Sequence, residues 1–485
     1  MSRCLRWLVS ALFSLPAAIL PTSSAQSQAT TTWHLACGDE PPPQLSGRYS
    51  TGAHGDMPPI DELVALGRQI FFDQGLSASG RQSCASCHDP AHAFGPTNAQ
   101  AVQRGGATMR DMGLRAAPSL RYVHAPLNFT EHHIDLAEHP EGPGGPAGGR
   151  TWDGRVNDAR QQALMPLLDP HEMANRSLSE VVQRLRRAPY AKAFDQLLSP
   201  PGTHILDDED GAVSWLTTAI MFFEQSAEDF HPFTSKYDAY LLGRAPLSPA
   251  ELRGVRLFTN PQKGNCASCH PVDAISPSVP YPRFTDFEFS ALGVPRNTAL
   301  PANRNPAFHD LGLCGPLRKD LADHPGYCGL FRAPTLRNAA RKQVFFHNGV
   351  FHSLQAVMDF YATRETDPAR WYGRDAQGHP RRYNDLPAAF HRNVKQDAPF
   401  TPLPNGQPRL SRPDRADLIA FLKTLNDGFV PPPVPLLMLP DDTPADDTAI
   451  GASGPQSRWR SIAPARADKS ACNGLSQNLF TVAGF

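Results

Sequence analysis

The five residues Cys-Ala-Ser-Cys-His occur twice in the chain, at Cys84 to His88 and again at Cys266 to His270. Two cysteines separated by two residues and followed directly by histidine form the attachment signature of a c-type haem. The thiols add to the haem vinyl groups, and the adjacent imidazole reaches the iron. One such motif could equally be half of a zinc site or a redox dithiol. Two identical copies argue against both: a four-cysteine zinc site leaves His88 and His270 without a purpose, and a thioredoxin motif needs a βαβ setting that is absent. The expectation is two covalently bound c-type haems, attached at Cys84, Cys87, Cys266 and Cys269, with His88 and His270 as proximal ligands.

Helical patterns lead into both motifs. One begins at Asp61 and carries Leu63, Leu66 and Ile70, with Gly67 and Phe71 on it. The other begins at Ser248-Pro249-Ala250-Glu251, a capping box with proline at the first helical position, and carries Gly254 and Phe258. Further helices are expected over 157–168, 181–198, 213–224, 353–361 and 415–425. The halves repeat one another: GRQIF at 67–71 matches GVRLF at 254–258, APSLR at 117–121 matches APTLR at 333–337, and TWDGR at 151–155 matches FHNGV at 346–350. With no regular strand alternation, the fold class is mostly α: two fused cytochrome c-like haem domains with long loops. The expected boundaries are a signal peptide at 1–25, an extended leader at 26–58, haem domains at 59–242 and 243–430, and a proline-rich tail at 431–485.

The repeat also separates the two haems. Tyr361 lies 14 residues after His347 (361 − 347), and Pro166 lies 14 residues after Trp152 (166 − 152), so the same position holds tyrosine in the second unit and proline in the first. A phenolate can ligate iron and proline cannot, which leaves the first haem open to peroxide or oxygen and the second closed by Tyr361. Met358, one turn earlier on the same helix, is the competing ligand, and a core aromatic is the plain alternative for Tyr361.

Composition bounds the remainder. The 485 residues include 49 prolines and 36 glycines, which implies many loops. A formal net charge of -1 argues against a non-specific nucleic-acid binder. Arg3 and Arg6, an apolar run from Trp7 to Leu20, and Ser23-Ser24-Ala25 read as a secretory signal rather than a membrane span, so the expected location is the periplasm. Outside the signal and the haem motifs remain Cys37, Cys314, Cys328 and Cys472. Sequence permits three pairings; Cys314 with Cys328 is favoured, followed by Cys37 with Cys472.

Over about residues 60 to 428 these motifs resemble the bacterial di-haem cytochrome c peroxidase superfamily, in particular its MauG-like branch. The resemblance rests on both CASCH motifs, APSLR, TWDGR followed by Gln162, Pro166 and Pro170-His171-Glu172-Met173, then APTLRN, FFHNG and Tyr361. It implies that Trp152 relays electrons or holes between the haems and that Glu172 is the distal acid/base of the open haem. It implies that Gln162 is a second polar group in that pocket and that His347 lies near the haems. Taken alone, Trp152 would be packing, Gln162 a helix face, His347 an ordinary buried histidine, and Asp169 to Glu172 a helix start.

The chain also departs from the family. No histidine occurs between Pro96 and Leu114, where the peroxidases carry a mobile distal histidine; His92, His124, His132, His133 and His139 lie elsewhere. Ala116 stands where a calcium-binding asparagine is usual, which puts calcium in doubt, and the loop from Asn303 to Leu330 is additional. The expected function is a periplasmic di-haem peroxidase or oxidase using hydrogen peroxide to oxidise a protein electron donor. That donor would be a small cytochrome, a cupredoxin or a protein undergoing maturation. The alternative is a non-catalytic di-haem electron-transfer cytochrome with both irons six-coordinate.

Overall fold

The computed structural model describes residues 57–123, 128–133, 144–275 and 280–431. The expected signal peptide, the leader up to residue 56, the proline-rich tail from residue 432, Cys37, Cys472, His124 and His139 lie outside them. Among the described residues the fold is mostly α, and the only sheets are three two-stranded ribbons.

Six helices position the chemistry: α1 (Ile60–Phe72), α2 (Ala159–Leu168), α3 (Glu209–Glu224), α4 (Pro249–Thr259), α5 (Leu354–Thr363) and α6 (Arg412–Lys423). One apolar core joins α1, α2 and α3 and reaches Cys84; a second joins α4, α5 and α6 and reaches Cys266. The α4 cap forms as its sequence implies, with Ser248 accepting from the Glu251 amide. The expected helix over 181–198 is two, Leu178–Leu185 and Ala191–Leu198. Pro189 lacks an N–H and cannot continue the first of them.

The repeated glycine and phenylalanine have one structural purpose. Gly67 on α1 faces the Ala219 backbone carbonyl of α3, and Gly254 on α4 faces the Asp417 carbonyl of α6, each so closely that a Cβ would collide. One turn on, Phe71 meets Phe223 at 5.3 Å and Phe258 meets Phe421 at 5.1 Å, both edge to face. Each haem motif therefore follows a helix that crosses a later helix of the chain backbone to backbone. Alanine at either glycine would gain about 1 kcal/mol of helix propensity. The clash is with rigid backbone, so overpacking at the upper end of its usual range of about 1–3 kcal/mol wins. Gly67→Ala and Gly254→Ala should each lower the urea midpoint, while Ala at a solvent-facing position of α1 should not.

The added loop is pinned by a disulfide between Cys314 and Cys328, the favoured pairing, and builds a small core from Phe289, Ala291, Leu313, Leu321 and Leu330. Asp427, just after α6, binds the two halves together. It accepts from Tyr122 Oη at 2.6 Å, Arg121 Nη1 at 3.0 Å and Asn338 Nδ2 at 2.6 Å.

Candidate active site

His88 Nδ1 donates to the Phe94 carbonyl at 3.1 Å, and His270 Nδ1 donates to the Phe284 carbonyl at 2.8 Å. Phe94 and Phe284 both sit in the left-handed region, at φ 53° and 55°, which turns each carbonyl towards its imidazole. The repeated APSLR and APTLR segments brace these turns. The Leu120 and Leu336 amides donate to the same two carbonyls, at 3.1 and 3.3 Å. Ser119 Oγ and Thr335 Oγ1 donate to the carbonyls one residue earlier, at 2.6 and 2.7 Å. Burial holds both imidazoles neutral, down at about 4, and Nδ1 carries the donated proton. The Nε2 lone pair of each ring is thus oriented for a metal.

TWDGR and FHNGV fold alike. Arg150 bridges Val156 and Phe345 bridges Phe351, with left-handed backbone at Thr151 and Phe346 and at Gly154 and Gly349. Each turn leads to a capped helix: Asp158 caps α2 and Ser353 caps α5. Pro166 and Tyr361 are each eight residues beyond their caps (166 − 158 and 361 − 353), so the sequence alignment of the two positions is also a structural one.

The second motif opens into a large, mostly apolar cavity. Cys266, Cys269 and His270 line it together with Tyr361, Met358, Trp152 and His347. About 1580 Å³ there is free of protein, its open mouth included. The room, the apolar walls, the unpaired thiols and the oriented imidazole fit a haem. Tyr361 stacks on Phe400 at 5.1 Å, and burial pushes its hydroxyl well above the ordinary phenol value. His347 is buried, down at about 4, and stacks face to face on Phe331 at 3.5 Å. Trp152 Nε1 donates to the Ala116 carbonyl at 2.8 Å, and the Ala116 amide donates to the His347 carbonyl at 2.7 Å. Ala116 thereby links Trp152 of the first half of the chain to His347 of the second.

Around the first motif, Glu172 follows a turn rather than opening a helix, because Asp169 already ends α2. The Glu172 amide donates to the Asp169 carbonyl at 3.0 Å, and Asp169 Oδ1 accepts from the His171 amide at 2.7 Å. The Glu172 side chain is exposed to solvent, with protein packed densely enough around it to penalise its charge. Desolvation there, with Asp169 beside it, lifts its carboxyl to about 7, and its charge reaches both Cys87 and Cys84. Pro166 is joined to this turn by the Met173 amide, at 3.0 Å. Gln162 sits one turn earlier on α2, half-buried. His92 is held by Asp89 at 3.3 Å beside the attachment loop, and His132 is exposed.

Three carboxyl and amino groups were missed by sequence reasoning. Glu224, at the end of α3, is lifted to about 7 by burial and adds its charge to the surroundings of Cys84. Asp286 is lifted to about 8 by burial, and Lys395 Nζ lies 3.7 Å from Cys269 Sγ. None stands at a motif spacing; each is delivered by tertiary packing.

The di-haem cytochrome c peroxidase family model matches residues 61–246. The methylamine utilization protein MauG of Paracoccus denitrificans is 36% identical over 312 residues, covering 63% of this chain and 75% of that protein. The chain belongs to the MauG-like di-haem peroxidase family. Among solved structures, the diheme peroxidase BthA from Burkholderia thailandensis matches with a TM-score of 0.66 and 40% identity, over 75% of this chain and 86% of the other. The cytochrome c551 peroxidase of Nitrosomonas europaea is 26% identical, over 61% of this chain and 72% of that protein. As a member of this family the protein is an oxidoreductase that carries two haems.

Proposed function

We propose that this di-haem peroxidase uses hydrogen peroxide to oxidise an external protein partner, in the periplasm, through two unlike haems. The haem domains span 59–242 and 243–430, with covalent attachment at Cys84 and Cys87 and at Cys266 and Cys269. The reading is carried by one observation: Pro166 and Tyr361 occupy the same position in two otherwise matching frames. His88 would hold a haem with one open face, and His270 and Tyr361 one closed on both. When bound, the haems supply the redox-active iron that accepts the oxidising equivalents of peroxide.

The chain's own residues do the rest. Glu172, poised near 7, takes a proton from one peroxide oxygen and returns it to the other, so that the leaving oxygen departs as water. Gln162 is a second polar group beside it. Trp152, fixed by its hydrogen bond to Ala116, relays charge between the two sites, and buried His347 supports that path. Calcium is not part of this proposal. Asp153 and Asp310 already hold the Arg115 guanidinium, each at 2.7 Å, and Ala116 offers backbone atoms only.

The external partner is a small cytochrome, a cupredoxin or a protein undergoing maturation. Spectroscopy of the purified ferric protein tests the reading. One high-spin haem altered by a single equivalent of peroxide, beside one low-spin haem, is expected. Two low-spin haems inert to peroxide would return the protein to the electron-transfer class.

A further inference from the structure

Behind the wall of the second cavity lies a tyrosine that the proposed chemistry does not use. Leu386 lines both that cavity and a surface groove formed with Arg381, Arg382, Tyr383, Asn384 and His391. Gly293 lines the cavity as well, and its left-handed backbone, at φ 62°, lies so close to the Tyr383 ring that a Cβ would strike it. Tyr383 thus touches the cavity wall on one side and borders the groove on the other, with 7% of its surface exposed.

A continuous packed path joins it to the candidate ligand. Tyr361 stacks on Phe400 at 5.1 Å; the fully buried Arg364 guanidinium lies 3.6 Å from the Phe400 ring and 5.5 Å from the Tyr383 ring. The Tyr383 hydroxyl donates to Glu365 Oε1 at 2.8 Å and accepts from Gln396 Nε2 at 2.9 Å. Glu365 is held in place by Arg364 at 2.6 Å and by Arg382.

We propose that Tyr383 is the exit station for oxidising equivalents, with Glu365 as its proton acceptor and the surrounding basic groove as the docking place for the acidic face of a small electron-donor protein. This rests on the peroxidase reading above. Tyr383 gives one electron to the equivalent that peroxide has generated, and its O–H bond breaks as the proton passes to Glu365. The donor then returns one electron, Glu365 returns the proton, and the donor is left oxidised by one. Coupling to the proton is enforced by Arg364: a ring facing a buried guanidinium cannot keep a positive charge, whereas a neutral phenoxyl is tolerated.

The partner's charge follows from the rim. Arg381 of the groove and Arg392, which follows the groove residue His391 in the chain, are both exposed and have no acidic partner among the described residues, in a chain whose net charge is only -1. Exposed, unneutralised guanidinia spread beyond the groove suit an acidic protein patch, which they would steer inwards.

Two measurements test this in the haem-loaded enzyme. After one equivalent of peroxide without donor, electron paramagnetic resonance and mass spectrometry of a nitroso spin-trap adduct should locate an organic radical on Tyr383. Tyr383→Phe should abolish that adduct while keeping the optical response to peroxide. An adduct pattern unchanged in Tyr383→Phe overturns the exit role, whereas no optical response in the unaltered enzyme overturns the peroxidase reading itself. Separately, Arg381→Glu with Arg392→Glu should slow oxidation of a reduced acidic cupredoxin roughly tenfold at low ionic strength, an effect that vanishes at high salt. Oxidation of a basic cytochrome c should not slow. Equal rates with the acidic donor before and after substitution would overturn the docking assignment.

Discussion

Glu172→Gln should slow the reaction with hydrogen peroxide by about a hundred- to ten-thousand-fold, the range over which a positioned acid/base contributes to a proton transfer. The amide keeps the shape of the side chain and the Asp169 turn, whose bonds run through backbone atoms and the Asp169 carboxylate. Only the ability to accept a proton is lost. The pH dependence is a second signature. Desolvation by the surrounding protein and the nearby Asp169 hold the carboxyl at about 7, so it is mainly protonated in mild acid and mainly ionised above neutrality. Its work as a base requires the ionised form. The rate constant for peroxide should therefore rise as pH passes upward through about 7 and then level off, and the inflection should be absent in Glu172→Gln. Stopped-flow mixing with peroxide between pH 5 and 9 measures both. A rate within a factor of about two of the unaltered enzyme, with the inflection retained, would move the assignment to Glu224, which is also held near 7 and lies by Cys84.

What was legible in the sequence was whatever the duplication had written twice. Gly67 and Gly254 recur because each stands at a helix crossing where no side chain fits. APSLR and APTLR recur because a hydroxyl and an amide in each brace the turn that aims a histidine. The turns at Trp152 and His347 recur through left-handed positions that a repeat alignment detects without knowing their conformation. Elements unique to one half were less legible. Glu172 imitates a helix start, yet α2 has already ended at Asp169, and the local pattern could not reveal which side of the helix end it occupied. Glu224 looks like the polar end of an apolar helix until tertiary packing brings it to Cys84. Tyr383 lies in an irregular stretch with no period, and its relation to the cavity depends on Gly293, ninety residues earlier (383 − 293 = 90).

Tyr361→Met should raise the reduction potential of the second haem by hundreds of millivolts, a shift on the order of half the ~0.8 V that axial ligands span. An anionic oxygen favours the higher oxidation state and a neutral thioether the lower one. The size of the shift depends on which form of tyrosine the cavity holds. Burial alone keeps the Tyr361 hydroxyl protonated far above neutral pH, and its ring is clamped between Phe346 and Phe400. A phenolate can exist there only if the positive charge of ferric iron outweighs that cost, as bound metal ions do for their ligands. Ligation must then release a proton, and acid should reverse it. Lowering the pH should replace the phenolate-bound low-spin spectrum by another before the protein unfolds, and Tyr361→Phe should show the second spectrum at every pH. Met358→Leu separates the competing ligand, because Met358 also lines the cavity one turn away. If Met358→Leu alters the ferric spectrum and Tyr361→Phe does not, the thioether is the ligand. The asymmetry between Pro166 and Tyr361 would then still describe the fold, but would no longer explain why one haem is closed.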